Sequence, residues 1–205
     1  MSQTVTQLCE TGAARDPIAQ FAGWYERACA KIKPLPHAAA LATTTKAGQP
    51  SARMVLLKGY DARGFVFYTN YRSRKGRELA RNARASLLFY WGKLERQVRI
   101  DGRVVKVTAR ESNAYFATRP RGSQLSAWAS PQSEVLVGRA ALERDVAGLA
   151  LKYRGQEVPR PPHWGGYRLA PEAIEFWQGR ADRLHDRLLY RRARNGRWSL
   201  ERLAP

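Results

Sequence analysis

Cysteine is nearly absent from the 205 residues. Cys9 and Cys29 are the only two, and their spacing fits neither a paired zinc site nor a redox C-x-x-C motif. A disulfide framework is excluded, and no metal site is expected. No stretch approaches the ~18 consecutive apolar residues of a membrane-spanning helix. The first thirty residues also lack a basic segment followed by an apolar one, so the expectation is a soluble protein of a reducing, cytoplasmic compartment. The chain contains no G-x-x-x-x-G-K-[ST] and no strand-coupled G-x-G-x-x-G, which removes the main support for nucleoside-triphosphate and Rossmann-type readings. Acidic residues are scarce: 17 Asp+Glu stand against 36 Lys+Arg, a formal charge of +19 with pI near 10.8. Such a surplus points to an anionic ligand.

What is present describes a globular chain. Hydrophobic residues make up 44% and aromatics 10%, enough for a core despite the charge. This length suits one domain, read as residues 16–205, preceded by a polar, aperiodic and flexible segment over 1–15. Asp16 followed by Pro17 predicts a helix start, and Ile18, Phe21, Trp24, Ala28 and Ile32 recur at helical spacing until Pro34. Apolar runs separated by turn residues predict strands at 38–45, 52–60, 65–69, 85–91 and 95–108, with a short helix at 73–82. Asp101-Gly102 inside the last run reads as a bulge rather than a hairpin turn. Helices are expected at 110–118, 123–130 and 138–153. The Pro159–Pro162 cluster reads as a linker, and separate short strands follow at 166–169, 174–177, 187–190 and 197–203. Consecutive strands with short links favour an antiparallel sheet curled into a barrel with helices outside, an α+β fold.

Five segments concentrate polar chemistry. Ser73-Arg74-Lys75-Gly76 sets two cations at a helix start, where free N–H groups and the dipole favour an anion. Arg53 to Lys58 is an apolar strand between two cations, whose odd separation puts Arg53 and Lys58 on opposite faces. If extended, the run from Arg183 through His185 to Arg187 sends those three to one face, two fixed charges with one proton-exchanging ring. Phe176-Trp177-Gln178 lies just upstream. Tyr115, Arg119 and Ser123 recur at intervals of four, and a guanidinium there anchors a dianion bidentately. Gln132-Ser133 adds neutral donors and acceptors.

With these segments in view, the sequence resembles the pyridoxamine/pyridoxine 5′-phosphate oxidase family of flavoproteins. The resemblance rests on seven segments in order: RMVLLK (53–58), GFVFYTNYRSRKG (64–76), ERQVRIDG (95–102), YFATRPRGSQ (115–124), ASPQS (129–133), EFWQGRADRLHDR (175–187) and the terminal RLAP (202–205). It implies an FMN-binding split barrel working as a homodimer, with the flavin between subunits. It further implies oxidation of pyridoxamine and pyridoxine 5′-phosphates to pyridoxal 5′-phosphate, hydride passing from C4′ to flavin N5 and O2 becoming hydrogen peroxide. By the same resemblance FMN meets Arg53, Met54, Val55, Leu56, Leu57, Lys58, Tyr68, Thr69, Arg74, Lys75, Gln97, Gln132, Ser133, Trp177 and Arg187. The substrate phosphate meets Lys58, Tyr115, Arg119 and Ser123, while Arg183 and His185 are the catalytic pair against the pyridine ring. One departure stands out: where relatives carry an Arg-Arg-x-Tyr type lid segment, residues 1–15 offer only Arg15 and no tyrosine.

Two rival readings remain. A different FMN split-barrel oxidoreductase shares the fold and takes another aromatic substrate. A basic nucleic-acid-binding module accounts for +19 but not for the ordered motifs, and no helix-turn-helix, zinc finger or RNP signature accompanies the charge.

Overall fold

The computed structural model describes residues 7–205. Helix α1 (Pro17–Lys31) starts where the sequence predicts, because Asp16 accepts the Ile18 N–H at 3.0 Å and Pro17 has no N–H to leave unsatisfied. It buries Phe21, Trp24 and Ala28 against the sheet.

Nine strands follow: β1 (Ala38–Thr44), β2 (Pro50–Leu56), β3 (Gly59–Asp61), β4 (Gly64–Asn70), β5 (Arg84–Trp91), β6 (Arg96–Lys106), β7 (Trp164–Gln178), β8 (Asp186–Arg192) and β9 (Trp198–Leu203). Helix α2 (Arg74–Arg81) joins β4 to β5. Helices α3 (Ala109–Ala117), α4 (Arg121–Ala129) and α5 (Arg139–Lys152) lie between β6 and β7. Pairing is antiparallel throughout, in the order β2-β1-β5-β6-β7-β4-β3. Strand β7 is the divide. One edge takes β6, while the other is shared, its first half by β4 (Trp164 to Leu169) and its second by β8 (Ala173 to Gln178). The curled sheet with helices outside is an antiparallel split barrel of the α+β class.

Two strand expectations change. The run expected over 52–60 breaks after Leu56, and at the break Leu57 N bonds His37 O while Lys58 N bonds Val66 O, both at 2.8 Å. The segments expected as separate strands at 166–169 and 174–177 are one 15-residue strand. Its pairing with β6 shifts register between Asp101 and Gly102, where Asp101 pairs Ala173 and Gly102 pairs Pro171, leaving Glu172 as the extra residue of a bulge. A Cβ on Gly102 would stand 2.0 Å from the Ala170 carbonyl oxygen, so the close approach needs glycine.

The barrel core packs Leu41, Phe65, Phe89, Trp91, Ile100, Leu169, Phe176, Leu188 and Tyr190 around Phe21, each side chain contributing roughly 1.5–3 kcal/mol by burial. A second cluster, Phe116, Leu125, Tyr153, Val158 and Trp164, sits beneath α3 to α5. Of the segment expected to be flexible, residues 1–6 lie outside the described residues. Over 7–15 the chain lies on the C-terminal strands. Leu8 is buried, Tyr190 Oη donates to Ala14 O at 2.7 Å, and Arg202 Nη2 binds Glu10 at 2.8 Å and Leu8 O at 3.2 Å.

Candidate active site

A cleft of about 590 Å³ opens between β2, β4, the start of α2 and the α3–α4 corner. Met54 and Leu56 of β2 and Lys58 just beyond its end line it, Val55 lies between the cleft and the core, and Leu57 is buried in the core. Tyr68 and Thr69 enter from β4, Lys75 from α2, Tyr115, Thr118, Arg119, Pro120 and Ser123 from the corner, Gln132 from the loop after α4, and Trp164 from β7.

One end of the cleft is a cationic cradle. Ser73 caps α2 by accepting the Gly76 N–H at 3.3 Å, and Gly76 lets the helix sit on the Tyr71 carbonyl, which a Cβ would approach to 2.1 Å. Lys75 Nζ donates to Gln132 Oε1 (2.8 Å), Thr69 Oγ1 (3.1 Å) and Ser73 Oγ (3.4 Å), all neutral acceptors. Burial, aided by the nearby Arg53 charge and opposed by Glu78, lowers its ammonium from 10.5 to about 8. A lysine held in this way stabilises an incoming anion strongly.

The other end is aromatic and guanidinium. Tyr68 stacks on Tyr115 with centroids 4.0 Å apart and on Trp164 at 5.5 Å. Arg119 lies over the Trp164 ring at 4.6 Å. Burial lowers its pKa, and its Nη1 is buried with no hydrogen-bond partner. A buried guanidinium nitrogen without a partner calls for a local explanation. Capping of α3, where Thr108 and Glu111 bond reciprocally, fixes the helix carrying Tyr115.

The remaining predicted residues do not line this cleft. Arg53 lies on the opposite face of β2, as its parity requires, and is bonded to Thr43, Ser51 (2.5 Å) and Glu78 (3.2 Å). Arg74 borders the cradle, its Nε on Glu78 at 2.9 Å. Ser133 sits exposed in the loop with φ +76°. Gln97, Trp177 and Arg187 are direct register partners across β6, β7 and β8, one row on the other limb of the sheet. The His185 ring packs 4.6 Å from Trp177, with Nδ1 accepting from Arg180 N at 3.1 Å. The condition for Arg183, His185 and Arg187 to share one face, an extended run over 183–187, is not met. Ala181–Arg183 make a 3₁₀ turn, with Asp182 and Arg183 at φ +53° and +60°, and strand β8 begins only at Asp186. Arg180 and Arg202 both grip Asp186, and that pinning favours the turn. The predicted site residues therefore fall into two groups on one chain, a cleft group and a β6–β8 row.

Sequence reasoning missed Trp164 and Glu78. Trp164 follows a proline cluster read as linker and carries no local signal. Glu78 looks like an ordinary charged helix residue but is 5% exposed.

Comparison with known proteins identifies the family. Residues 25–153 match the pyridoxamine 5′-phosphate oxidase family, and residues 164–205 match the pyridoxine 5′-phosphate oxidase C-terminal dimerisation region, which supports a homodimer. A pyridoxine/pyridoxamine 5′-phosphate oxidase of Rubrobacter xylanophilus is 60% identical over 97% of this chain and 91% of its own length. One from Acaryochloris marina is 57% identical over 97% and 90%. Among solved structures, PhzG from Burkholderia lata 383, in complex with tetrahydrophenazine-1-carboxylic acid, superposes with TM-score 0.91 at 36% identity, covering 99% of this chain and all of that one. A pyridoxamine 5′-phosphate oxidase-related, FMN-binding protein from Nostoc punctiforme shares the fold, with TM-score 0.72 at 18% identity over 98% of this chain and all of that one. The two family matches and relatives of this identity over nearly the whole length establish that the chain belongs to the pyridoxine/pyridoxamine 5′-phosphate oxidase family, whose cofactor is FMN.

Proposed function

We propose that the chain oxidises pyridoxamine 5′-phosphate and pyridoxine 5′-phosphate to pyridoxal 5′-phosphate, with O2 reduced to hydrogen peroxide. The observation that carries this reading is a cationic side chain at each end of one cleft. Lys75 has only neutral partners at one end, and Arg119 has an unpartnered buried nitrogen at the other. Two phosphorylated aromatic ligands need that pair, with flat apolar walls between.

The donor set fits FMN. Arg74 and Lys75 would hold its phosphate, Met54 to Leu56 would wall its ring, and Gln132 and Thr69 would supply neutral hydrogen bonds. Bound FMN supplies the hydride acceptor and returns the electrons to O2. The chain's own work is positional. Arg119, with Lys58, Tyr115 and Ser123, anchors the substrate phosphate, and the Tyr68–Tyr115–Trp164 stack excludes water beside it. The row Gln97, Trp177 and Arg187, with Arg183 and His185, would complete the site from the partner subunit, in keeping with its separation from the cleft. There Arg183 orients the pyridine ring. His185, whose Nδ1 accepts from Arg180 N, carries its proton on Nε2 and presents it as a donor to the departing amine or the alcohol.

The test is an aerobic assay of purified protein with added FMN on both phosphorylated substrates, measuring pyridoxal 5′-phosphate and peroxide together. Equal yields of aldehyde and peroxide are expected. The likeness to PhzG favours a second reading, oxidation of a polycyclic aromatic carboxylate, since the Arg119 fork suits a carboxylate as well as a phosphate. Bound FMN without turnover of either phosphorylated substrate would move the assignment there.

A further inference from the structure

We propose that Glu78 is a positioning residue that aims the cations of the flavin-phosphate cradle and thereby sets a preference for phosphorylated over unphosphorylated flavin. The inference rests on the placement of the flavin phosphate at Arg74 and Lys75.

Glu78 projects from the middle of α2, is buried and does not line the cleft. A carboxylate without water is tolerated only when its lone pairs are satisfied. Here Oε2 accepts from Thr43 Oγ1 (2.5 Å), Ser51 Oγ (2.7 Å) and Arg53 Nη2 (3.2 Å), and Oε1 accepts from Arg74 Nε (2.9 Å). One side chain thus ties β1, β2 and α2 together at the cradle.

The way it does so sorts three cations. Arg53 is locked: Nη1 bonds Leu41 O and Thr43, and Nη2 bonds Ser51 and Glu78. It acts on the cleft through its charge. Arg74 is held only at Nε, and among the described residues its two terminal nitrogens have no partner. That leaves the fork that grips a phosphate bidentately. Lys75 keeps neutral acceptors alone.

Dissociation constants for FMN and riboflavin, read by flavin fluorescence in Glu78→Ala and Glu78→Gln with circular dichroism as the folding control, test the idea. Glu78→Ala should weaken FMN by about ten- to hundredfold, the range for hydrogen bonds to charged groups, with riboflavin unchanged. Glu78→Gln keeps one acceptor oxygen and should lose about fivefold of the FMN preference. If the alanine variant does not fold, the glutamine variant decides alone. Equal factors for the two flavins, or an unaltered preference, overturn the inference. Arg74→Ala combined with Lys75→Ala is the control. A preference that survives it overturns the phosphate placement itself, whereas one lost there but kept in the Glu78 variants overturns only the role of Glu78.

Discussion

Raising the pH through 8 should loosen FMN by way of Lys75. Burial and the Arg53 charge hold this ammonium at about 8, down from 10.5, and a phosphate dianion beside it restores the protonated form. Above pH 8, FMN binding therefore takes up one proton, and the association constant falls about tenfold per pH unit. Between pH 7.5 and 9.5 the loss is about 25-fold, and the phosphate does not contribute because its second pKa is near 6. A fluorescence titration across that range measures the slope, with riboflavin as the control lacking phosphate. Lys75→Met should abolish the slope and leave a weaker, level affinity. The same lysine has the opposite effect on the free protein. Between about 8 and 10.5 the unfolded chain binds the extra proton, so this group makes unfolding stability rise with pH while FMN affinity falls. A level FMN profile in the native chain, or an undiminished slope in Lys75→Met, would refute the reasoning.

Four further outcomes are expected. Arg119→Met should raise KM for the phosphorylated substrates by about 10- to 100-fold without changing FMN content; steady-state kinetics with unphosphorylated pyridoxine alongside would reject this if both shift alike. Arg183→Ala should retain FMN while lowering kcat severely, and near-normal turnover removes it from the mechanism. Gly102→Ala forces a Cβ onto the Ala170 carbonyl and should lower the thermal midpoint by about 3–10 °C, from a cost of about 1–3 kcal/mol; an unchanged midpoint by calorimetry would show that the bulge relaxes freely. Burial alone would raise the Glu78 carboxyl, but hydrogen bonds from Thr43, Ser51, Arg74 and Arg53 outweigh it and hold the group at about 2. Its contribution to stability is present above pH 4.5 and lost as pH falls toward 2, so urea unfolding at pH 3 and 7 should show a smaller acid penalty in Glu78→Gln.

Much of the architecture was legible locally. Asp16-Pro17 marks α1 because capping and a missing N–H are properties of adjacent residues. The Asp101-Gly102 bulge could be read because β-branched residues continue on both sides. The facing of Arg53 away from Met54 and Leu56 follows from strand parity alone. Other features had no local signature. The continuity of β7 through Pro171 depends on β6 offering a glycine opposite, nearly seventy positions away. The turn at Asp182 and Arg183 is set by Arg180 and Arg202 closing on Asp186, against the alternation that favours a strand.

The amino-acid order by itself therefore determined most of the elements, the antiparallel class, the family and most of the chemically competent side chains, since these depend on short-range pattern. Only the tertiary structure decided their grouping: Trp164 beside Tyr68 and Arg119, Glu78 between Arg53 and Arg74, and the Gln97–Trp177–Arg187 row apart from the cleft. The reason is physical. Burial, depressed lysine basicity and an unpartnered guanidinium arise from what surrounds a group in space, and segments far apart in the chain supply those surroundings.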